Sequence, residues 1–165
     1  MPVGKFEEVV RVPKRTRDAI LASLPTTPDD LARLTKDRDL DDLLQPSRDG
    51  GWGVVEILAH LRDWEEVFLE RLKTVGEEDN PFLPVQDDEL WPIERDYRGQ
   101  SPEATLERFR SSRAETVALL EGLDAGEWER PARHGAYGDV TLHWLADHMC
   151  DHDQEHRDQA RDALA

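Results

Sequence analysis

The chain predicts an all-α fold, a four-helix bundle with long irregular connections, and three observations carry that prediction. Apolar residues recur at helical rather than strand spacing in three long segments. Each such segment opens with a recognisable start signal and closes at Gly or Pro. The 165 residues suit a single domain spanning 1–165, large enough to bury about two-thirds of its unfolded surface. Charged residues reach 35%, but five Trp, four Phe and a regular supply of Leu supply a core that a disordered chain lacks.

Taken in order, Met1 to Val12 reads as a short lead-in, without the apolar stretch of a signal peptide. Lys14 to Leu24 forms a first helix with Ile20, Leu21 and Leu24 on one face. Thr27-Pro28-Asp29-Asp30 supplies an N-cap, a proline at the first helical position and acids for the positive end of the dipole, so a short helix runs on to Leu34. Thr35 to Gly51 is a charged connection with one helical turn at Leu40 to Leu44.

Trp52 to Lys73 is a long helix whose apolar face carries Val54, Ile57, Leu58, Leu61, Trp64, Phe68 and Leu72. Residues 77–100 hold Pro81, Pro84 and Pro92 with no helical period, and a connection of that length is either functional or draped over the domain. Ser101-Pro102-Glu103 restarts a helix to about Gly122, with Leu106, Phe109, Val117 and Leu120 facing inward. A second irregular link runs to Asp139, and Thr141 caps the last helix, Leu142 to Leu164.

The net charge of −16 repels phosphate backbones and anionic lipid, so neither nucleic acid nor a membrane surface is an expected partner. The single Cys150 excludes an internal disulfide and, with no apolar run of membrane-spanning length, points to the cytoplasm. A small-molecule substrate and a homodimer are the expected partners, since acidic bundles commonly pair through helix faces.

Four of the six histidines lie between positions 143 and 156. Alternating steps of three and four along the last helix pick out Leu142, Leu145, Met149, His152, His156, Gln159 and Ala163 as the seam it turns inward. That seam changes midway from apolar to imidazole, imidazole and amide, and burying those groups costs a few kcal/mol unless something satisfies them. Two His one turn apart reach a single ion. His60, set among Ile57, Trp64 and Val67 on the apolar face of the second long helix, supplies a third ligand from elsewhere in the bundle. His148 and His143 fall beside the seam, where a surface or flanking position is the plainer expectation.

Three neutral imidazoles with an open position describe a catalytic rather than a structural zinc site, and nickel, manganese or iron suit the same ligands. Gln159, one turn beyond His156, is placed to steady that ring. Glu56 and Asp63, near one turn either side of His60, are candidates to orient it or act as a base, although solvated helix acids are the simpler reading. Arg113, between Phe109 and Val117, is a candidate to hold a substrate carboxylate, with a snorkelling arginine the simpler reading. The surplus acid is expected on outward faces and loops.

The segment from Trp52 through His60 to Trp64, together with Thr141-Leu142 and His152-Asp-Gln-Glu-His156-Arg-Asp-Gln159, resembles the DinB-like superfamily. The resemblance runs from about Lys14 to the end, departing where Leu24 to Gly51 is long and charged. It implies a four-helix bundle with one divalent metal held by His60, His152 and His156. It further implies a metal-dependent enzyme that transfers a low-molecular-weight thiol, such as bacillithiol or mycothiol, to an electrophilic small molecule, with a hydrolase using metal-bound water as the alternative. A non-catalytic metal-binding bundle is a further alternative.

Overall fold

The computed structural model describes residues 10–48 and 50–165, so the first nine residues of the lead-in and Asp49 in the charged connection lie outside the described residues. In chain order the elements are α1 (Arg17–Ser23), α2 (Thr26–Thr35), α3 (Leu40–Leu44), α4 (Val54–Glu77), β1 (Phe82–Leu83), α5 (Trp91–Glu94), a 3-10 turn (Tyr97–Gly99), α6 (Pro102–Glu121), α7 (Ala125–Trp128), β2 (Pro131–His134), β3 (Gly138–Thr141) and α8 (Leu142–Ala163). The bundle is built by α4 packed against α6 and α8, with α2 closing against α6 and α8.

Helix starts follow local chemistry. Ser101 Oγ accepts from the Ala104 amide, and Thr141 Oγ1 from the Trp144 amide, each satisfying a donor that the first turn cannot pair. At α4 the cap lies one residue later than Trp52, at Gly53, whose amide donates to Glu56 Oε1 at 3.4 Å. Gly53 is also a close approach: a Cβ there would stand 2.7 Å from the Gln45 carbonyl oxygen. The helix runs past Lys73 to Glu77, carrying Gly76 in its last turn.

The two N-terminal helices start elsewhere than the sequence suggests: α1 begins at Arg17, capped by Thr16 rather than running from Lys14, and α2 begins at Thr26 after Pro25, without a side-chain cap, so Thr27 and Pro28 lie inside the helix instead of capping it. The connections depart as well. The irregular links at 77–100 and 122–139 contribute a small three-stranded sheet in the order β1-β2-β3, parallel then antiparallel, with Leu83 paired to His134 and Pro131 to Thr141. Strands of two and four residues are too short to show alternation above their surroundings. The 77–100 segment also holds α5 and the 3-10 turn, which place Trp91 and Tyr97 against Ala59 of α4.

The apolar core comes in two parts. One gathers Ile20, Leu24, Phe68, Leu72, Leu120, Trp128, Leu142, Leu145 and Met149, and the other Leu31, Val54, Ile57, Leu58, Leu61, Phe109 and Ala160. Between them lies a buried polar layer. Arg113 donates to Glu65 on α4, to Asp153 on α8 and to the Leu24 carbonyl, while Thr27 and Thr116 donate to Asp153 and Glu65. The acids are therefore not all on outward faces: Asp63, Glu65, Asp147 and Asp153 are buried. No helix among the described residues is long and apolar enough to cross a membrane.

Candidate metal centre

The three histidines lie at the level of that polar layer. His60 comes from the middle of α4, and His152 and His156 from one face of α8. Their ligating nitrogens all lie within 4.8 Å of one another, and His60 Nε2 is 3.1 Å from His152 Nε2. Ring centroids are separated by 5.1 Å (His60–His152), 4.5 Å (His60–His156) and 4.6 Å (His152–His156). His60 and His156 are buried and His152 half-buried.

The donor set fits a divalent ion. Bonds of about 2.0–2.1 Å to a tetrahedral centre put neighbouring nitrogens roughly 3.3 Å apart, close to the 3.1 Å between His60 Nε2 and His152 Nε2. Burial pushes the His60 imidazolium down to about 4, with the His156 charge adding to it. Burial, then His156 and His60, push His152 well below its ordinary value. Neutral rings keep the lone pairs a metal requires. His156 Nδ1 lies 2.9 Å from Gln159 Oε1, so the amide oxygen holds the proton on Nδ1 and leaves Nε2 to ligate.

The imidazoles open into a cavity of about 290 Å³. Besides the three histidines it is lined by Trp52, Trp64, Phe68, Asp88 and His148. Trp52, which precedes α4 and is not part of it, lies 4.9 Å from His60 and stacks 6.4 Å from His156. Asp88, from the 77–100 segment, accepts a 2.7 Å hydrogen bond from Trp64 Nε1. No spacing rule singles out Asp88; the signal available was the length of the irregular segment carrying it.

The other candidates are placed differently. Asp63 is buried and holds Tyr97 Oη at 2.7 Å, Arg62 Nε at 3.0 Å and Arg95 Nη1 at 3.0 Å, tying α5 and the 3-10 turn to α4 instead of orienting His60. Glu56 caps α4 and pairs with Arg98 at 3.0 Å. Neither is the solvated helix acid expected. Arg113 neither snorkels nor faces the cavity: burial works against its charge, but Asp153 and Glu65 more than offset that and hold it above its ordinary value. His148 flanks the seam, half-buried, its ring stacked 4.9 Å from Trp144. His143 Nε2 is 2.7 Å from the Arg15 carbonyl. Cys150 is buried and its thiol is pushed up to about 11, chiefly by burial, which removes it as a nucleophile.

Comparison with known proteins agrees with this architecture. The model of the DinB superfamily matches residues 13–160. A Bacillus mycoides protein named "Putative metal-dependent hydrolase" is 28% identical over 141 residues, covering 86% of this chain and 81% of the relative. "Putative metal-dependent hydrolase YfiT" of Bacillus subtilis is 25% identical over 133 residues, covering 81% of this chain and 75% of the relative. The solved structure of YfiT, described as an unusual four-helix bundle topology, superposes with a TM-score of 0.85 at 23% identity, over 98% of this chain and 93% of YfiT.

Proposed function

The chain belongs to the DinB superfamily, and on that premise we propose that it is a metal-dependent hydrolase of a small ester or amide, with His60, His152 and His156 as ligands. The observation that carries this reading is the trio of imidazoles whose ligating nitrogens lie within 4.8 Å of one another and which line a cavity. The names of the Bacillus relatives agree with it. A divalent ion held there supplies a Lewis acid that polarises a carbonyl and lowers the pKa of a water or thiol.

The chain's own groups supply the rest. Gln159 fixes the His156 tautomer through Nδ1. Trp52, Trp64 and Phe68 line the cavity beside the three histidines and enclose the apolar body of the substrate. Asp88, held by Trp64 Nε1 through Oδ2, keeps Oδ1 for a proton taken from the attacking group.

A second reading, transfer of a low-molecular-weight thiol such as bacillithiol or mycothiol to an electrophile, rests on the same aromatic walls, which suit a soft thiolate better than a hydrated oxyanion. Zinc or nickel fits either reading by donor type. Zinc-loaded protein is to be assayed on nitrophenyl esters and anilides with water alone, and on monobromobimane with added thiol. Hydrolysis without thiol that disappears in His152→Ala supports the first reading; turnover only with thiol replaces it with the second. No turnover in either assay contradicts both.

A further inference from the structure

Every arginine that is at least partly buried has a carboxylate within 4.0 Å, save one. Arg15 pairs with Asp147 and Asp151, Arg62 with Asp63 and Arg110 with Asp29. Arg113 pairs with Glu65 and Asp153, Arg130 with Asp79 and Arg157 with Asp30. Arg71, half-buried on α4, has no carboxylate partner among the described residues. Its hydrogen bond there goes from Nη2 to the Pro84 carbonyl at 2.9 Å, leaving most of its five donors without a partner among the described residues. Burial pushes the guanidinium below its ordinary value with no acid to offset it. A chain of net charge −16 is not short of acids to place there.

The position of this cation gives it a use. Its Cζ lies 5.6 Å from the centroid of the Trp64 ring, which lines the three-histidine cavity. Pro84 follows Leu83, which pairs with His134 on β2. The His134 ring is 4.9 Å from Tyr137, and Tyr137 is 5.3 Å from His148, which lines the cavity. His134 Nδ1 accepts from the amides of Ala136 and Tyr137, so its proton stands on Nε2 as a donor. Beyond the effect of burial, Arg71 pulls both His134 and His148 toward their neutral forms, as a cation beside them must. The acids that act on His148, Asp147 and Asp151, are both occupied by Arg15. Asp88 is held by Trp64.

We propose that Arg71, with His134 and His148, forms an anion-binding subsite at the edge of the cavity, which takes a carboxylate carried by the substrate. One planar guanidinium, with the His134 Nε2–H as a further donor and the His148 ring beside it, matches a single negative charge and its bidentate geometry. A phosphate dianion would want a second cation. The subsite names the substrate class, acids over neutral analogues, and rests on the proposed function for the claim that the neighbouring cavity is where the substrate reacts.

The test uses metal-free protein, so that an ion in the cavity cannot capture the probe. 4-Phenylbutyrate and its neutral amide are titrated while the Arg71 Nε–H resonance and tryptophan fluorescence are followed. Wild type should bind the acid at least about tenfold more tightly than the amide, as a charge-assisted fork implies. In Arg71→Gln that preference should vanish, and Arg71→Lys, which keeps the charge without the fork, should retain part of it. Equal binding of acid and amide by wild type overturns the subsite, as does no binding of either or a preference that survives in Arg71→Gln. The wild-type comparison requires no variant to fold. A failure to take up metal would show separately, in elemental analysis of the same preparation, and would count against the proposed function instead.

Discussion

Gln159 touches His156 and contributes no metal-ligating atom of its own to the trio, so its loss separates metal holding from folding. Gln159→Leu should weaken zinc affinity by about 10–100-fold, the usual cost of losing a ligand's outer hydrogen bond, with the far-UV spectrum unchanged. Unaltered affinity in a competition titration would remove Gln159 from the site. Arg113 presents the opposite case. Arg113→Met strands Glu65 and Asp153 without a counter-charge, and urea unfolding should show a loss of about 3–5 kcal/mol; a loss well below that would mean the two acids find other partners. At this scale the imidazoles were legible because three ring nitrogens interrupt apolar helical faces. Arg113 was not. A seam position alone cannot tell a snorkelling cation from one whose acids, Glu65 and Asp153, arrive from two other helices.

Between elements, the contacts that matter are the ones holding irregular segments against α4. Asp63 gathers Tyr97, Arg62 and Arg95, and burial followed by the Asp63 hydrogen bond raises the Tyr97 hydroxyl above its ordinary value. Tyr97→Phe removes a hydrogen bond to a charged group, so it should cost about 1.5–3 kcal/mol. It should also speed amide exchange across 91–100, while the α8 amides keep their protection. Equal acceleration in both would show that the segment is not held independently. The long helices could be read from caps and periodicity, since Ser101 and Thr141 perform the roles their positions imply. The sheet could not, because β1 is two residues long and its partner β2 lies about fifty residues on, a pairing that no local pattern announces. That pairing also sets Pro84 beside Arg71, so the subsite was equally hidden.

For the whole molecule, buried neutral histidines make stability depend on pH. His60 and His134 are pushed down to about 4, mainly by burial, and His152 is lowered as well. Unfolded, these groups titrate near 6.5, so between about 6.5 and 4 the unfolded chain binds more protons and gains stability relative to the fold. The urea midpoint of metal-free protein should therefore be level above about pH 6.5 and fall as the pH drops toward 4. A midpoint that rises on acidification would contradict the neutral-imidazole assignment. Charge was readable from composition and describes the outer surface, but it concealed four buried acids that brace the interior.

The central claim is that His60, His152 and His156 hold one divalent ion. It is tested most directly by elemental analysis of untagged protein, reconstituted with zinc and dialysed, beside His152→Ala treated identically. The account predicts about one ion per chain in wild type and less than about 0.1 in the variant, as expected when one of three protein ligands is lost. Wild type below about 0.1, or a variant that still carries a full complement, would contradict it.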